Sequence, residues 1–176
     1  MQDYLIVVDM QNDFISGALG SAEAQAIVAK AAEKIRAFSG KVIFTRDTHH
    51  ADYLSTQEGH MLPVAHCIAQ SDGWRICPEL APLAEGAAVI DKPSFGSTAL
   101  GERLAAENRA QEISSITLIG LCTDICVISN ALLLKAFLPE VPIHVDAACC
   151  AGVTPESHKN ALAAMRACQI IVDNAE

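Results

Sequence analysis

Short apolar runs alternate with segments of helical periodicity along the whole chain, and this alternation constrains the fold more than any other feature of the sequence. The predicted strands are 4–9, 41–47, 87–92, 116–120, 142–146 and 169–172, and the predicted helices are 21–38, 97–108, 124–137 and 155–167. Strands that are apolar on both faces are typical of a parallel sheet covered by helices on both sides. We therefore predict an α/β fold, a three-layer α/β/α arrangement with a mostly parallel, doubly wound sheet of about six strands, formed by residues 1–176 as one domain.

Charge and composition exclude several classes of function. The net charge of −9 disfavours binding to nucleic acid. No apolar run approaches the ~20 residues that span a bilayer, and the first residues lack the basic start of a signal peptide, so we expect a cytoplasmic protein without a membrane partner. Seven cysteines are an odd number for a disulfide framework, which leaves thiols free for chemistry. We expect five of them to be small core residues: Cys67, Cys77, Cys149, Cys150 and Cys168.

Chemically active side chains stand at the carboxyl ends of the predicted strands. Asp9, Asp47 and Lys92 end the first three strands, and Cys122 and Cys126 follow the fourth. In open parallel sheets, ligands bind outside this edge, at the point where the strand order reverses. We therefore expect two carboxylates, an ammonium group and a thiol to meet in one pocket.

Three segments carry a specific resemblance to a known family. Residues 8–14 (VDMQNDF), 91–98 (DKPSFGST) and 120–127 (GLCTDICV) are similar, in order and spacing, to the motifs of the isochorismatase-like cysteine hydrolases, which include the nicotinamidases. The resemblance implies that residues 1–176 form one hydrolase domain of this superfamily. It also implies a small amide as substrate, cleaved at its C–N bond, and assembly into a homo-oligomer.

The resemblance assigns a role to each member of the predicted pocket. Cys126 would be the nucleophile, in the first turn of a helix whose dipole favours a thiolate. Asp9 would take the thiol proton and return it to the leaving amine, and Lys92 would keep Asp9 ionised. The backbone amides of Cys122 and Cys126 would hold the oxyanion, with a cis peptide between Leu121 and Cys122.

A metal site is implied by the same comparison. Asp47 and His49 have the Asp-x-His spacing of the nicotinamidases, and His66 lies before a cysteine further along. Imidazole and carboxylate ligands suit a divalent metal, most readily Zn²⁺. Glu58 is a further candidate ligand, and His60 is a weaker one.

The connection from Thr48 to Pro78 is too long for a passive loop, so we expect it to be ordered around the site. Phe14, Phe95 and Trp74 are the predicted walls of a substrate pocket that would suit a flat aromatic amide. One departure is that 61–65 (MLPVA) lacks the tryptophan that nicotinamidases carry just before the metal-binding histidine.

Two alternatives remain open on the sequence. One is another activity of the superfamily, either metal-free hydrolysis of a carbamoyl or ureido amide or isochorismate vinyl-ether cleavage. The other is a non-enzymatic scaffold, which the presence of Asp9, Lys92 and Cys126 together disfavours.

Overall fold

A six-stranded sheet, parallel at every pairing, forms the centre of the protein in a computed structural model that describes residues 1–175. The strands are β1 (Gln2–Val8), β2 (Lys41–Asp47), β3 (Ala88–Lys92), β4 (Ile113–Leu121), β5 (Ile143–Ala151) and β6 (Ile171–Asp173). They lie in the order β3-β2-β1-β4-β5-β6. The predicted α/β fold, with a doubly wound sheet of about six strands, is confirmed.

Helices cover both faces of the sheet. They are α1 (Asn12–Ile15), α2 (Ala22–Ala37), α3 (Gln57–Met61), α4 (Ala81–Ala84), α5 (Thr98–Ala110), α6 (Ile128–Phe137) and α7 (Pro155–Ala167), with a 3₁₀ turn at Tyr53–Ser55 and a π-helical turn at Thr123–Val127. Helix α7 begins as its sequence predicts, because Thr154 caps its amides and Pro155 takes its first position. None of the helices in residues 1–175 combines the length and apolarity needed to cross a bilayer.

Alternating side chains of β1 supply the core on both sides of the sheet. Leu5 and Val7 pack with buried residues of α2 such as Ile27, whereas Ile6 points to the other side, where Leu134 of α6 lies. Because β1 is buried on both faces, its sequence is a continuous apolar run rather than an alternating one.

The strand order reverses between β1 and β4, and this reversal opens a crevice at their carboxyl ends. The chain passes from β1 outward to β2 and β3, then returns to the other side of β1 with β4. Val8 pairs with Gly120 just before the crevice. Gly120 has φ +113°, and a Cβ at this position would lie 2.1 Å from the carbonyl oxygen of Val8, so only glycine fits here.

Strand β5 differs from its prediction by continuing beyond Asp146 to Ala151. The carboxylate of Asp146 is buried but satisfied, since Lys34 Nζ lies 2.8 Å from Oδ2 and Asn174 Nδ2 donates to Oδ1 at 3.0 Å. An acid with such partners can lie inside a strand, so its charge was a poor marker of the strand end.

The connection after β2 is ordered, as predicted. It contains the 3₁₀ turn and α3; a bridge from His49 to Ile68 joins two parts of it, and a bridge from Gln11 to Ile76 ties it to the segment after β1. Among the cysteines expected in the core, four are buried, but the prediction for Cys168 is wrong: this residue follows the last turn of α7 and is exposed.

Candidate active site

Asp9 stands one residue beyond β1, in the left-handed backbone region with φ 49°. Thr45 of β2 holds it there: the Asp9 amide donates to the Thr45 carbonyl at 3.2 Å, and the Thr45 hydroxyl donates to Asp9 Oδ1 at 2.6 Å. The side chain is fully buried. An uncommon backbone conformation for a non-glycine residue, fixed by a neighbouring strand, is typical of functional positions.

Lys92, the last residue of β3, connects the charged groups of the crevice. Its Nζ lies 2.7 Å from Asp9 Oδ2, and it donates to Cys126 Sγ at 3.3 Å and to Asp47 Oδ1 at 3.3 Å. The ammonium group is completely buried. The contact with Asp9 Oδ2 is an ion pair by distance but is not aligned as a hydrogen bond, which leaves this buried oxygen without a hydrogen-bonding partner in residues 1–175.

Cys126 lies in the π-helical turn that follows β4. The turn begins after a cis peptide between Leu121 and Cys122, as the resemblance implied. Asn130 Nδ2 donates to the Cys126 carbonyl at 2.8 Å, and Thr123 Oγ1 lies 2.7 Å from His158 Nδ1 on α7. These bonds tie the thiol's segment to α6 and α7.

Burial dominates the proton affinities in this cluster. It raises the pKa of the Cys126 thiol well above its ordinary value, helped by the negative charge of Asp9 and opposed by Lys92. Burial also raises the pKa of Asp9. For Lys92, burial acts to lower the pKa, but Asp9, Cys126 and Asp47 together raise it. Burial therefore favours the protonated thiol, and Lys92 acts in the opposite direction, towards the thiolate.

Four predicted metal ligands meet at one point beside Lys92. Asp47, His49, Glu58 and His66 each offer one ligand atom, and these atoms lie within 4.8 Å of one another. His49 Nε2 lies 2.9 Å from Asp47 Oδ2 and 3.5 Å from Glu58 Oε1, while His66 Nε2 lies 3.6 Å from Asp47 Oδ2. Two imidazoles and two carboxylates converging in this way suit a divalent metal ion such as zinc.

Neighbouring groups orient the four predicted ligands. His66 Nδ1 donates to the Val64 carbonyl at 2.8 Å, so Nε2 is the ring nitrogen that faces Asp47 and the rest of the cluster. Tyr53 packs against both imidazoles, at 4.6 Å from the His49 ring and 5.0 Å from the His66 ring. Although burial acts to raise the pKa of Asp47, hydrogen bonds from the two histidines and the charge of Lys92 hold it below its usual range.

A cavity of about 490 Å³ opens onto both the thiol and the metal-ligand cluster. Cys122 and Cys126 line it, and so do Phe14 and Phe95, two of the three aromatic residues predicted as substrate walls. Trp74 does not line this cavity. Its indole donates to Thr48 Oγ1 at 2.8 Å, and its ring lies 3.6 Å from the guanidinium of Arg46, so the expectation that Trp74 stacks on a substrate is corrected by its position.

The remaining histidines lie outside the cluster. His50 and His60 are exposed. His144 Nδ1 lies 2.9 Å from Asp173 Oδ2, and His158 contacts Thr123, in agreement with structural roles for both.

Sequence reasoning missed the residues that hold the site in shape. Gln11 is completely buried; its amide group donates to the Asp47 carbonyl at 2.9 Å and accepts from the Asp47 amide at 2.7 Å. Asp13 accepts from the Cys67 amide at 2.8 Å, next to His66. A signal was present, because both residues are polar and lie in the short segment after the buried strand β1. Tyr53 gave no comparable signal within its loop.

Comparisons with known proteins agree with this geometry. A family model described as the isochorismatase domain matches residues 3–176. Nicotinamidase from Bacillus subtilis is similar in structure, with 28% identity, a TM-score of 0.84 and coverage of 99% of this chain and 100% of that chain. Pyrazinamidase from Pyrococcus horikoshii, in complex with zinc, has 28% identity, a TM-score of 0.82 and coverage of 98% of both chains. N-carbamoylsarcosine amidase from Thermoplasma acidophilum has 29% identity and a TM-score of 0.76, with 98% and 96% of the two chains covered. A search of curated protein sequences gives no match.

Proposed function

Since the chain belongs to the isochorismatase family of hydrolases, we propose that it cleaves the C–N bond of a small amide through a thioester on Cys126, as a nicotinamidase-like enzyme. The observation that carries the proposal is the position of Lys92 Nζ, 2.7 Å from Asp9 Oδ2 and 3.3 Å from Cys126 Sγ. A carboxylate and a thiol on one buried ammonium group form a nucleophile with its base.

Acylation begins when the Cys126 sulfur attacks the amide carbonyl. The raised pKa of the thiol means that its proton leaves during attack, and Asp9 Oδ2, which accepts no hydrogen bond, is the base that receives it. The carbonyl oxygen becomes an oxyanion, for which the amides of Cys122 and Cys126 are the proposed donors. Lys92 stabilises the negative charge as it moves between sulfur and carboxylate.

Collapse of the tetrahedral intermediate breaks the C–N bond. Asp9 returns its proton to the departing nitrogen, which leaves as ammonia, and the acyl group stays on sulfur as a thioester. Asp9 then takes a proton from the attacking water molecule, and a second tetrahedral intermediate forms. Its collapse breaks the C–S bond and releases the carboxylic acid, and Asp9 passes its proton to the Cys126 sulfur, which restores the thiol.

The donor set of Asp47, His49, Glu58 and His66 fits a divalent metal ion, and we assign this role to them. When bound, zinc would act as a Lewis acid towards a ligand in the cavity. Gln11 holds Asp47 in place through its two hydrogen bonds to the Asp47 backbone. Phe14 packs beside His66, with 5.5 Å between the ring centroids. Phe14 and Phe95 would act as apolar walls for the substrate.

A carbamoyl amide is the second candidate substrate class. It is favoured by the 29% identity to an N-carbamoylsarcosine amidase, which is as high as the identity to the nicotinamidases. The four metal-binding side chains argue against the metal-free form of this activity.

The deciding experiment measures ammonia release from nicotinamide and a panel of small amides by wild type and Cys126→Ala. We expect the variant to lose turnover by at least about a thousandfold, because Cys126 is the thiol in contact with Lys92 and would carry the acyl group. Cys168→Ala is the matched control, since it removes an exposed thiol outside the cavity and should keep wild-type rates. Turnover that survives in Cys126→Ala would contradict the proposal.

A further inference from the structure

The cavity at Cys126 is divided into two chemically different parts. Its charged lining is confined to Asp47, Glu58 and His66, at the metal-ligand end. Away from that end the walls are built from apolar side chains, among them Leu19 and Ile125. A volume of about 490 Å³ is within the range of ~300–1,000 Å³ typical of pockets for drug-sized ligands, and it exceeds what a pyridine carboxamide needs.

The mouth of the cavity exposes apolar surface. Met61, Leu62, Phe95 and Val153 line it and are 82%, 38%, 43% and 57% exposed. These four make up nearly half of the nine large apolar side chains that residues 1–175 expose, so the exposed apolar surface is concentrated at this opening. Such concentration marks a binding surface more often than chance exposure.

No arginine or lysine from the described part of the chain lines this cavity. Near the mouth the fixed charge is negative: the Asp124 carboxylate accepts from the Val153 amide at 3.1 Å. The whole chain carries a net charge of −9. A substrate with a carboxylate on the substituent that enters the apolar part would lose hydration and gain no cation in return.

We propose that the amide hydrolysed here carries a neutral, apolar substituent larger than a single heteroaromatic ring, such as an alkyl-substituted aryl group, and that amides with an anionic substituent are rejected. This inference rests on the proposed function and extends it to the acyl side of the substrate. The carbonyl lies at Cys126, and the substituent extends between Leu19, Ile125 and Val153 towards the mouth. The occupant is the substrate itself, because this apolar volume is continuous with the thiol.

Two measurements on one amide series test the proposal. The series is benzamide, para-methylbenzamide, para-butylbenzamide and the anion para-carbamoylbenzoate. Ammonia release by wild type gives kcat/KM, and calorimetric titration of Cys126→Ala gives affinities that do not depend on turnover. We expect both quantities to rise by about fourfold for each methylene group buried. The anion should fall at least about tenfold below benzamide.

A charge introduced at the mouth should shift this preference. Val153→Arg is expected to raise the ratio of kcat/KM for para-carbamoylbenzoate to kcat/KM for para-butylbenzamide by about tenfold or more. Val153→Gln, which is polar but uncharged, should not favour the anion. Ile171→Arg adds the same charge at an exposed site on β6, outside the cavity, and should leave the ratio unchanged.

The outcomes separate the two proposals. If no amide shows turnover that depends on Cys126, the proposed function fails, and the calorimetric series still decides the inference. Equal affinities across the neutral series, or an anion that binds as well as benzamide, would overturn the inference even if nicotinamide is hydrolysed. A dimer in sedimentation that admits benzamide but excludes para-butylbenzamide would also overturn it, because a second copy would then cover the mouth.

Discussion

Replacing Lys92 by methionine is the most direct test of the charge arrangement in the crevice. The variant keeps a long side chain but leaves the buried Asp9 carboxylate without its ion pair at 2.7 Å. Removing one partner of a buried pair typically costs ~3–5 kcal/mol, because the remaining charge stays buried and uncompensated. We therefore expect Lys92→Met to lower the free energy of unfolding by about 3–5 kcal/mol at pH 7.

The pH dependence of this loss has a definite sign. Lys92 acts to lower the pKa of Asp9, so its removal raises further a pKa that burial has already raised above the ordinary 3.8. A carboxyl group whose pKa is higher in the folded than in the unfolded state lowers the free energy of unfolding at pH values above its pKa in the unfolded state. This destabilisation disappears as the pH falls and the group takes up its proton. The deficit of Lys92→Met should therefore shrink as the pH is lowered from 7 towards 4.

A double-mutant cycle with Asp9→Asn identifies the cause. In Asp9→Asn/Lys92→Met neither charge is present. The loss of unfolding free energy in the double variant should therefore be smaller, by at least about 2 kcal/mol, than the sum of the losses in the two single variants. Urea unfolding of all four proteins gives these values, and the exposed Lys159→Met controls for loss of a lysine. Additive losses, or a Lys92→Met deficit that does not change with pH, would refute the reasoning.

Four further changes have predictable results. Activity should fall in acid with an apparent pKa above 3.8, because burial raises the pKa of Asp9, the proposed base; a pH–kcat/KM profile with its acid limb at or below 3.8 would contradict this. Partial burial acts to raise the pKa of Glu107, but hydrogen bonds, the largest from Tyr4, lower it to about 2. The stability that this carboxylate contributes above pH 4.5 should therefore be lost as the pH falls towards 2, and acid titrations of unfolding should show that Glu107→Gln lacks this component. Gly120→Ala should lower the free energy of unfolding in urea by more than about 1–3 kcal/mol, because alanine would have to adopt a positive φ and its Cβ would clash with the Val8 carbonyl. A wild-type unfolding midpoint would show that the backbone can move. His66→Ala should weaken zinc binding by more than about tenfold in metal-competition titrations, whereas the exposed His60→Ala should bind as wild type does.

The layers of the fold could be predicted because they follow from local patterns. Strands β1 and β2 are buried runs, and α7 has a capping residue and a proline at its start, so their bounds in the structure lie close to those predicted. The carboxyl end of β5 could not be predicted, because Asp146 is satisfied by Lys34 and Asn174, which are distant in sequence. Contacts of this kind are formed only by the tertiary structure.

The charged members of the site could be placed from the sequence for a topological reason. Asp9, Asp47 and Lys92 end or follow adjacent parallel strands, so any sheet with this order brings them to one edge. Trp74 was assigned wrongly because its loop has no periodicity, and the Arg46 side chain that stacks on its ring comes from β2. The burial of Cys126, which raises the pKa of its thiol, was also beyond the sequence.

The strand reversal explains why the two ends of the cavity differ in chemistry. Strands β1, β2 and β3 position Asp9, Asp47 and Lys92, whereas the segment after β4 positions the thiol and the apolar Ile125. A substrate in the crevice therefore has its reactive carbonyl between these two halves. Asp47 and Lys92 belong to strands and Asp9 directly follows one, whereas His49, Glu58 and His66 come from the connection after β2. At the mouth, Leu62 follows α3 and Val153 lies between β5 and α7. We therefore expect substitutions of Leu62 and Val153 to change which amide is preferred while leaving the Asp9–Lys92–Cys126 contacts in place.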